Sequence, residues 1–390
     1  KNPANNASFA AADYGFIKKA EKVDDFTINL LLEKPTPSAV DQLTQVLFIL
    51  PKATHEKIGA RGFGAQAIGT GPMKVEKFEA GRQVQLVRND KYYAAAWGKT
   101  RLDRISVLVI PDPQTANAEV SAGKVDFLWN IQPDQMIQLK TAANVDTVTG
   151  PSVSISFLSL DAAGRTGANP LQDKNVRMAI AHAIDRQAIA KTLRGESSEV
   201  IPTPCNPRQF GCVQDVVKYE YNVAKAKELM AKAGSPKFEL KIAAFTDSGP
   251  VAEAISGDLR QIGIDAKLDF RETSSWIKDL FGGNLRASVV PWPSNGVFDV
   301  VAMVPVFFTG LDNQGDYTLD PVVMDSFKKA ATLVDEKERL ALYRTGFERI
   351  ANESYVVPLM SGVTNYAFRK GLDWTVPADG YPLLYMAGWK

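Results

Sequence analysis

The chain has 390 residues, with 45 basic side chains against 44 acidic ones and a net charge of +1. That balance excludes a strong electrostatic pull toward nucleic acid or anionic lipid, and no apolar run reaches membrane-spanning length. Hydrophobic content of 45% and charged content of 23% are ordinary for a globular protein, and the length exceeds one comfortable core, so two domains are expected.

The first residues, KNPANNASFAAADYG, are polar and carry neither a fold signal nor the basic–apolar–small pattern of a signal peptide. The expectation is that a signal has been removed or that the chain begins partway through a larger protein. Residues 21–33 alternate as a strand that Pro35 and Pro37 break. SAVDQLTQVLFIL reads as a helix stopped by Pro51, and KATHEKIGARGFGAQA as a loop. Two strands, MKVEKFEA and RQVQLVRN, turn at Ala80–Gly81 into a half-buried hairpin carrying Val84, Leu86 and Val87. RISVLVIPD is an apolar strand ended by Pro111. PQTANAEVSAGK is a short helix closed by Gly123, and VDFLWNI a further strand. Gln132–Leu139 reads as helix, followed by the strand VDTVTG.

The stretch from Ile155 to Gly195 organises the rest. ISFLSLD is a short buried strand and reads as the crossing between two lobes. The helix after it places Val176, Ile180, Ala183, Ile184 and Ala188 on one face over residues 176–194. Asp173 or Asn175 caps its start and Gly195 ends it. A Pro/Gly-rich loop then holds the only two cysteines, Cys205 and Cys212. They form a local disulfide in an oxidising compartment or stay as two thiols, and spacing alone does not choose. Two thiols without a histidine do not make a structural zinc site.

YNVAKAKELMAKAG is a helix stopped by Gly234. FELKIAAF, the helix PVAEAISGDLRQIG and IDAKLDF form a strand–helix–strand unit whose strands should run parallel. SSWIKDLF reads as a short helix and FDVVAMV, 298–304, as a buried strand. Two helices occupy DPVVMDSFKKAATLVDEKERLALYRTGFERIANES; YVVPLMSGV and NYAFRK return as strands.

A catalytic set is hard to assemble. His182, one position off the apolar stripe, and His55, near a helix start, read as packed or surface side chains. No nucleophile elbow, zinc-protease or phosphate-loop motif is present. GTG at 69–71 lacks the lysine and runs into a strand, so it reads as a turn. Two α/β lobes without reactive groups point to binding, at the carboxyl ends of strands.

IGTGPMKVEKFEAGRQVQLVRNDKYY, 68–93, resembles the signature of family 5 of the bacterial extracellular solute-binding proteins, the peptide/nickel-type periplasmic binding proteins of ABC importers. RLDRISVLVIPDPQTANAEVSAGKVDF, NVRMAIAHAIDRQAIAKTLRG and YEYNVAKAKELMAKAG resemble the family's following segments, collinearly from about Lys22 to the C-terminus. The resemblance implies a two-lobed α/β fold, type II, with mixed sheets and two crossing strands. The lobes would be 1–154, 155–359 and a return over 360–390. It implies a small solute (oligopeptide, opine or related compound) held in the cleft, periplasmic or membrane-associated extracellular residence, and delivery to a membrane permease. No cofactor, metal or nucleic acid is expected, and the chain should act as a monomer. A ligand sensor on the same fold, or a hydrolase, is the alternative. Family members begin with a longer part of the first lobe, so that lobe reads as N-terminally incomplete, with a separate N-terminal segment as a further partner.

The resemblance also implies the ligand contacts. Relatives carry a tryptophan and an Asp-rich run after the strand matching FDVVAMV, the Asp pairing a peptide's amino group. Here VPVFFTGLDNQGD puts Phe307 and Phe308 where the tryptophan is expected and Asp312 in the acid's place, which leaves peptide specificity open. Trp292, Phe307 and Phe308 are aromatic contacts around a strand end or members of the core. Trp129 ends another strand. Asp312 and Asn313 orient the ligand or form a turn. Leu47 and Phe48 border the cleft, Ser361 and Thr364 flank the second crossing, and Arg208 pairs a ligand carboxylate or stays solvated.

Overall fold

The computed structural model describes residues 15–46, 48–93, 100–195, 197–310 and 315–390. They divide into two units, one built from Lys1–Val46 and Val153–Gly362 and the other from Leu47–Ser152 and Val363–Lys390. The division runs through two long strands, and it groups the first described residues with the larger unit.

Residues 21–33 are not one strand. β1 (Ile17–Lys22) and β2 (Ile28–Leu32) pair antiparallel. Asp24 makes the turn: its Oδ1 accepts from the Phe26 amide at 2.7 Å, a side-chain mimic of a backbone turn. A helix follows over Ala39–Val46. The glycine-rich stretch expected as loop is a helix, Lys52–Ala65, which takes up Gly59 (φ 69°) as a break between two helical pieces.

β3 (Met73–Glu79), β4 (Gln83–Arg88) and β5 (Arg104–Leu108) form an antiparallel meander. The turn at Ala80–Gly81 is where the sequence puts it, with Gly81 at φ 70°. The helix Pro113–Ser121 is capped by Asp112, which accepts from the Thr115 amide, and closed by Gly123. β6 (Phe127–Trp129) and the helix Pro133–Leu139 follow. VDTVTG and ISFLSLD, read as two strands, are one: β7 (Val145–Leu160). Gly150 sits inside it because the Val376 side chain lies against its Cα; a Cβ there would stand 2.2 Å from Val376.

The long helix expected over 176–194 is two helices, Lys174–Ala183 and Arg186–Arg194. Ile184 is extended, and Asp185 caps the second helix through the Ala188 amide while its own amide donates to Asp258. The apolar spacing continues across the break, so periodicity alone could not reveal it.

The larger unit is a mixed sheet covered on both faces. β8 (Glu239–Ala244) and β9 (Asp265–Phe270) run parallel around the helix Gly249–Arg260, as the crossover pattern requires. β10 (Ala287–Trp292) lies between β8, to which it is parallel, and β7, to which it is antiparallel. β11 (Val356–Arg369) flanks β7 on the other side. Alternate residues serve two cores. Leu158, Leu160, Leu240, Ile242 and Val289 join one cluster with Val176, Ile180, Ile255 and Leu259. Ile155, Phe157, Ala243 and Val290 join the other, with Phe307, Phe327 and Phe347. This is the period-2 alternation of a strand doubly covered by helices.

FDVVAMV is therefore not the strand of this region; ASVVPW is. Residues 298–304 instead form short helical turns, because Asp299 caps Val300–Ala302 by accepting from the Val301 amide at 2.9 Å. The same carboxylate pairs with the buried Arg339. Arg339 lies over the rings of Phe210, at 4.6 Å, and Tyr343. Burial raises the Asp299 carboxyl above its ordinary value, against the lowering pull of the Val301 amide and of Arg339. Burial likewise pushes the Tyr343 hydroxyl to about 12.

The helices Pro321–Ala330 and Glu336–Glu353 pack closely because Gly346 has no side chain. A Cβ there would lie 2.2 Å from the Phe327 ring, whereas one at Gly257 would meet nothing within 4 Å. Gly346→Ala should cost about 1–3 kcal/mol through overpacking, and Gly257→Ala should stabilise by about 0.5–1 kcal/mol through helix propensity. Denaturant midpoints of the two variants check the pair.

Candidate functional site

The central strand of the larger unit, β10, delivers Trp292 to its carboxyl end, the end at which α/β sheets bind ligands. The half-buried indole donates from Nε1 to the Ala302 carbonyl at 2.9 Å. Its ring stands edge-on to Phe307 with centroids 5.0 Å apart. One face of the tryptophan is thus fixed by the protein itself.

Past Pro293 the backbone turns left-handed three times in succession, at Ser294 (φ 51°), Asn295 (φ 47°) and Gly296 (φ 76°). Only glycine adopts that region without cost; a serine held there is strained by roughly 1 kcal/mol or more. The Ser294 side chain is 2% exposed, and its Oγ has no hydrogen-bond partner. A buried hydroxyl left unpaired costs about 1–3 kcal/mol, so the turn combines strain with an unmet polar group. Both features concentrate at binding sites. Asn295 is exposed beside it.

The cysteine loop holds this turn. Cys205 and Cys212 are joined in a disulfide, which resolves the alternative the spacing left open. Inside the loop, Gln209 Nε2 donates to the Val297 carbonyl at 3.0 Å and to the Asp299 carbonyl at 3.2 Å. The Phe210 amide donates to the Phe298 carbonyl, and Asn206 Nδ2 to the Ser154 carbonyl on β7. Arg208 rides exposed on the same stapled loop.

The other candidates are placed as follows. Phe307 and Phe308, 2% and 1% exposed, belong to the core. Phe307 is held edge-on between Phe157 and Trp292, so its ring has a packing role. Ser361 Oγ accepts from the Glu199 amide at 3.2 Å and joins β11 to the start of the cysteine loop. Asp312, Asn313 and Leu47 lie outside the described residues. In the smaller unit, Trp129 is 39% exposed on β6, opposite Tyr366 of β11. Asn130 (φ 59°) follows it. Thr364 is buried nearby in sequence, next to Asn365, whose amide donates to the Ile131 carbonyl at 2.8 Å. Phe48 is 77% exposed.

Sequence reasoning missed Ser294 and Asn295. It assigned the strand to 298–304 and so looked for the ligand run after Met303. Moved to β10, the strand ends on a tryptophan, Trp292, and is followed by Pro-Ser-Asn-Gly in place of an acidic run. The signal was the turn tetrapeptide itself.

Among the described residues no group of His, Cys, Asp and Glu is arranged to hold a metal ion, and no helix is long and apolar enough to cross a membrane.

This mixed α/β architecture is that of the periplasmic binding proteins of the peptide/nickel cluster. The family model described as "Bacterial extracellular solute-binding proteins, family 5 Middle" matches residues 1–315, and the chain belongs to that family. Heme-binding protein A of Haemophilus influenzae is 24% identical over 89% of this chain and 65% of its own length. The dipeptide-binding protein of Escherichia coli is 23% identical over 88% of this chain and 67% of its own. The chain thus spans about two thirds of these curated relatives. Among solved structures, the ABC transporter-associated periplasmic binding protein DppA from Helicobacter pylori, in complex with the peptide STSA, has a TM-score of 0.85 at 23% identity. The match covers all of this chain and 78% of that one.

The staple makes a prediction. Replacing Cys205 and Cys212 together by serine should lower stability by about 2 kcal/mol, the loop-closure effect for so short a ring. Denaturant unfolding with and without reductant checks it: reductant should lower the wild-type midpoint and leave the double variant unchanged.

Proposed function

We propose that this protein captures a small solute at the Trp292–Gly296 turn and hands it, unaltered, to the permease of an ABC importer, in the periplasm or at the outer face of the membrane. The observation that carries the reading is the buried, unpartnered Ser294 hydroxyl in a left-handed turn at the end of the central strand. The hydroxyl has no partner to lose, so turning the Ser294 side chain outward to meet a ligand donor or acceptor breaks no hydrogen bond. Trp292 offers a flat apolar face with little side-chain entropy to lose. Relatives named for binding dipeptide and heme support the class of function.

The residues of the turn, Trp-Pro-Ser-Asn-Gly, are neutral. Asp299, the nearest acid in sequence, is buried against Arg339. This favours a ligand that presents a carbonyl, amide or hydroxyl at this point over one that presents a bare ammonium: a blocked or modified peptide, an opine, or a related polar compound. Arg208 is the cation suited to a carboxylate on such a ligand. The site is a binding site and not a catalytic one.

A thermal-shift screen of peptides, opines, sugars and metal chelates tests the reading. A true ligand at a hundred times its Kd should stabilise the protein by about 2.7 kcal/mol and be recovered unchanged. Ser294→Ala should weaken that ligand about tenfold, the effect of one hydrogen bond, and Trp292→Ala should weaken it further. A panel that shifts nothing, or a ligand consumed over time, would contradict the proposal.

A further inference from the structure

Arg186, at the start of the helix Arg186–Arg194, is held by carbonyls and not by a carboxylate. Its guanidinium donates to the Tyr219 carbonyl and, at 3.4 Å, to the Pro358 carbonyl, and no acid of the described residues is among its hydrogen-bond partners. The two most deeply buried arginines of the same unit are built differently. Arg177, 3% exposed, lies 3.9 Å from Glu353, and Arg339, 5% exposed, pairs with Asp299. Burial pushes the Arg186 guanidinium below its ordinary value, and the charge that opposes this is Glu220, an exposed residue.

A small cavity lies against this side chain. Ala181, Pro202, Val217, Ile350 and Val356 give it apolar walls, and the exposed Lys218 brings a second cation to it. No acid lines it, and every lining residue belongs to the larger unit. Its polar acceptors are engaged: the Tyr219 and Pro358 carbonyls accept from Arg186, and the Ala351 carbonyl accepts from the Tyr219 hydroxyl at 2.8 Å. What the walls still offer is donors, because a guanidinium has more N–H groups than two carbonyls use and an ammonium only donates. A water is best held by acceptors and donors together; an anion needs donors alone. A charge taken out of water is paired or costly, and here the missing half of the pair is negative. The cavity has room for about one water-sized body, which is too little for sulfate or phosphate.

We propose that this cavity is a structural anion site, taking a chloride-sized monovalent anion on the Arg186 guanidinium with Lys218 as its second cation. Pro202 precedes the disulfide-closed loop, Val217–Tyr219 follow it, and Val356–Pro358 open β11. The anion therefore ties both stems of that loop to β11. The inference uses neither the family nor the solute site, so its failure leaves the proposed binding function standing.

Urea unfolding is followed in sodium chloride and in sodium gluconate of equal ionic strength, and crystals are soaked in sodium bromide. The midpoint should rise with chloride to a plateau and not with gluconate, whose anion is too large for the cavity. Bromide should give an anomalous peak beside the Arg186 guanidinium. Lys218→Gln, at an exposed side chain, should raise the chloride concentration at half-effect about two- to fivefold, the loss of one exposed charge pairing. Ala181→Val puts methyl groups into the cavity and should abolish the chloride response; if that variant does not fold, Lys218→Gln and the bromide peak carry the test. Equal midpoints in the two salts would overturn the proposal, as would a chloride response that the variants leave unchanged. A bromide peak without a solution effect would mark an adventitious ion only and would overturn it, and so would a cavity that holds water alone in the bromide crystals.

Discussion

The structure depends on the double covering of β7, β10 and β8. β7 and β10 pair without interruption from Leu160 opposite Ala287 to Ile155 opposite Trp292. Alternate residues of both strands enter two different cores, one around Val176 and Ile255 and the other around Phe327 and Phe347. A slip of one residue would exchange the two sets, sending Phe157 into the space of Leu158. Register is therefore fixed from both sides. Because Trp292 is the last residue in that register, the start of the turn after it is fixed as well.

A strained turn needs such an anchor. Three left-handed residues in a row persist only where the surroundings over-determine them. β10 holds the turn from one side, the indole–Ala302 hydrogen bond crosses it, and Gln209 of the disulfide-closed loop binds the carbonyls just beyond it. The Arg339–Asp299 pair, stacked between Phe210 and Tyr343, fixes that loop to the helix Glu336–Glu353. Removing either partner of a buried pair leaves an uncompensated charge, so its structural role is to keep the loop and turn in one arrangement. Within this arrangement the Ser294 hydroxyl and the Arg339 Nε are buried without a hydrogen-bond partner.

Much of the fold was legible in the sequence because its signals were local. The hairpin at Ala80–Gly81, the helix closed by Gly123 and the parallel unit around Gly249–Arg260 rest on turn chemistry and on period. Three of the misreadings share a cause: each was decided by a carboxylate that accepts from a nearby backbone amide. Asp185 divides a helix that periodicity leaves whole, Asp24 folds a strand into a hairpin, and Asp299 turns a β-like run into helical turns. Asp residues were visible, but their backbone partners were not. The same error displaced the candidate site. With 298–304 taken as the strand, Phe307 and Phe308 stood where ligand aromatics were expected, although both lie in the core. The resemblance identified the family, but the structure was needed to show which strand ends at the turn.

The most direct measurement is a crystal structure of the protein with the solute that copurifies with it or the strongest ligand from a screen. The account predicts an intact molecule whose polar group lies within hydrogen-bond distance of Ser294 Oγ and whose body lies against the Trp292 ring. A ligand seated elsewhere, with the Ser294 hydroxyl still unpaired, would contradict it.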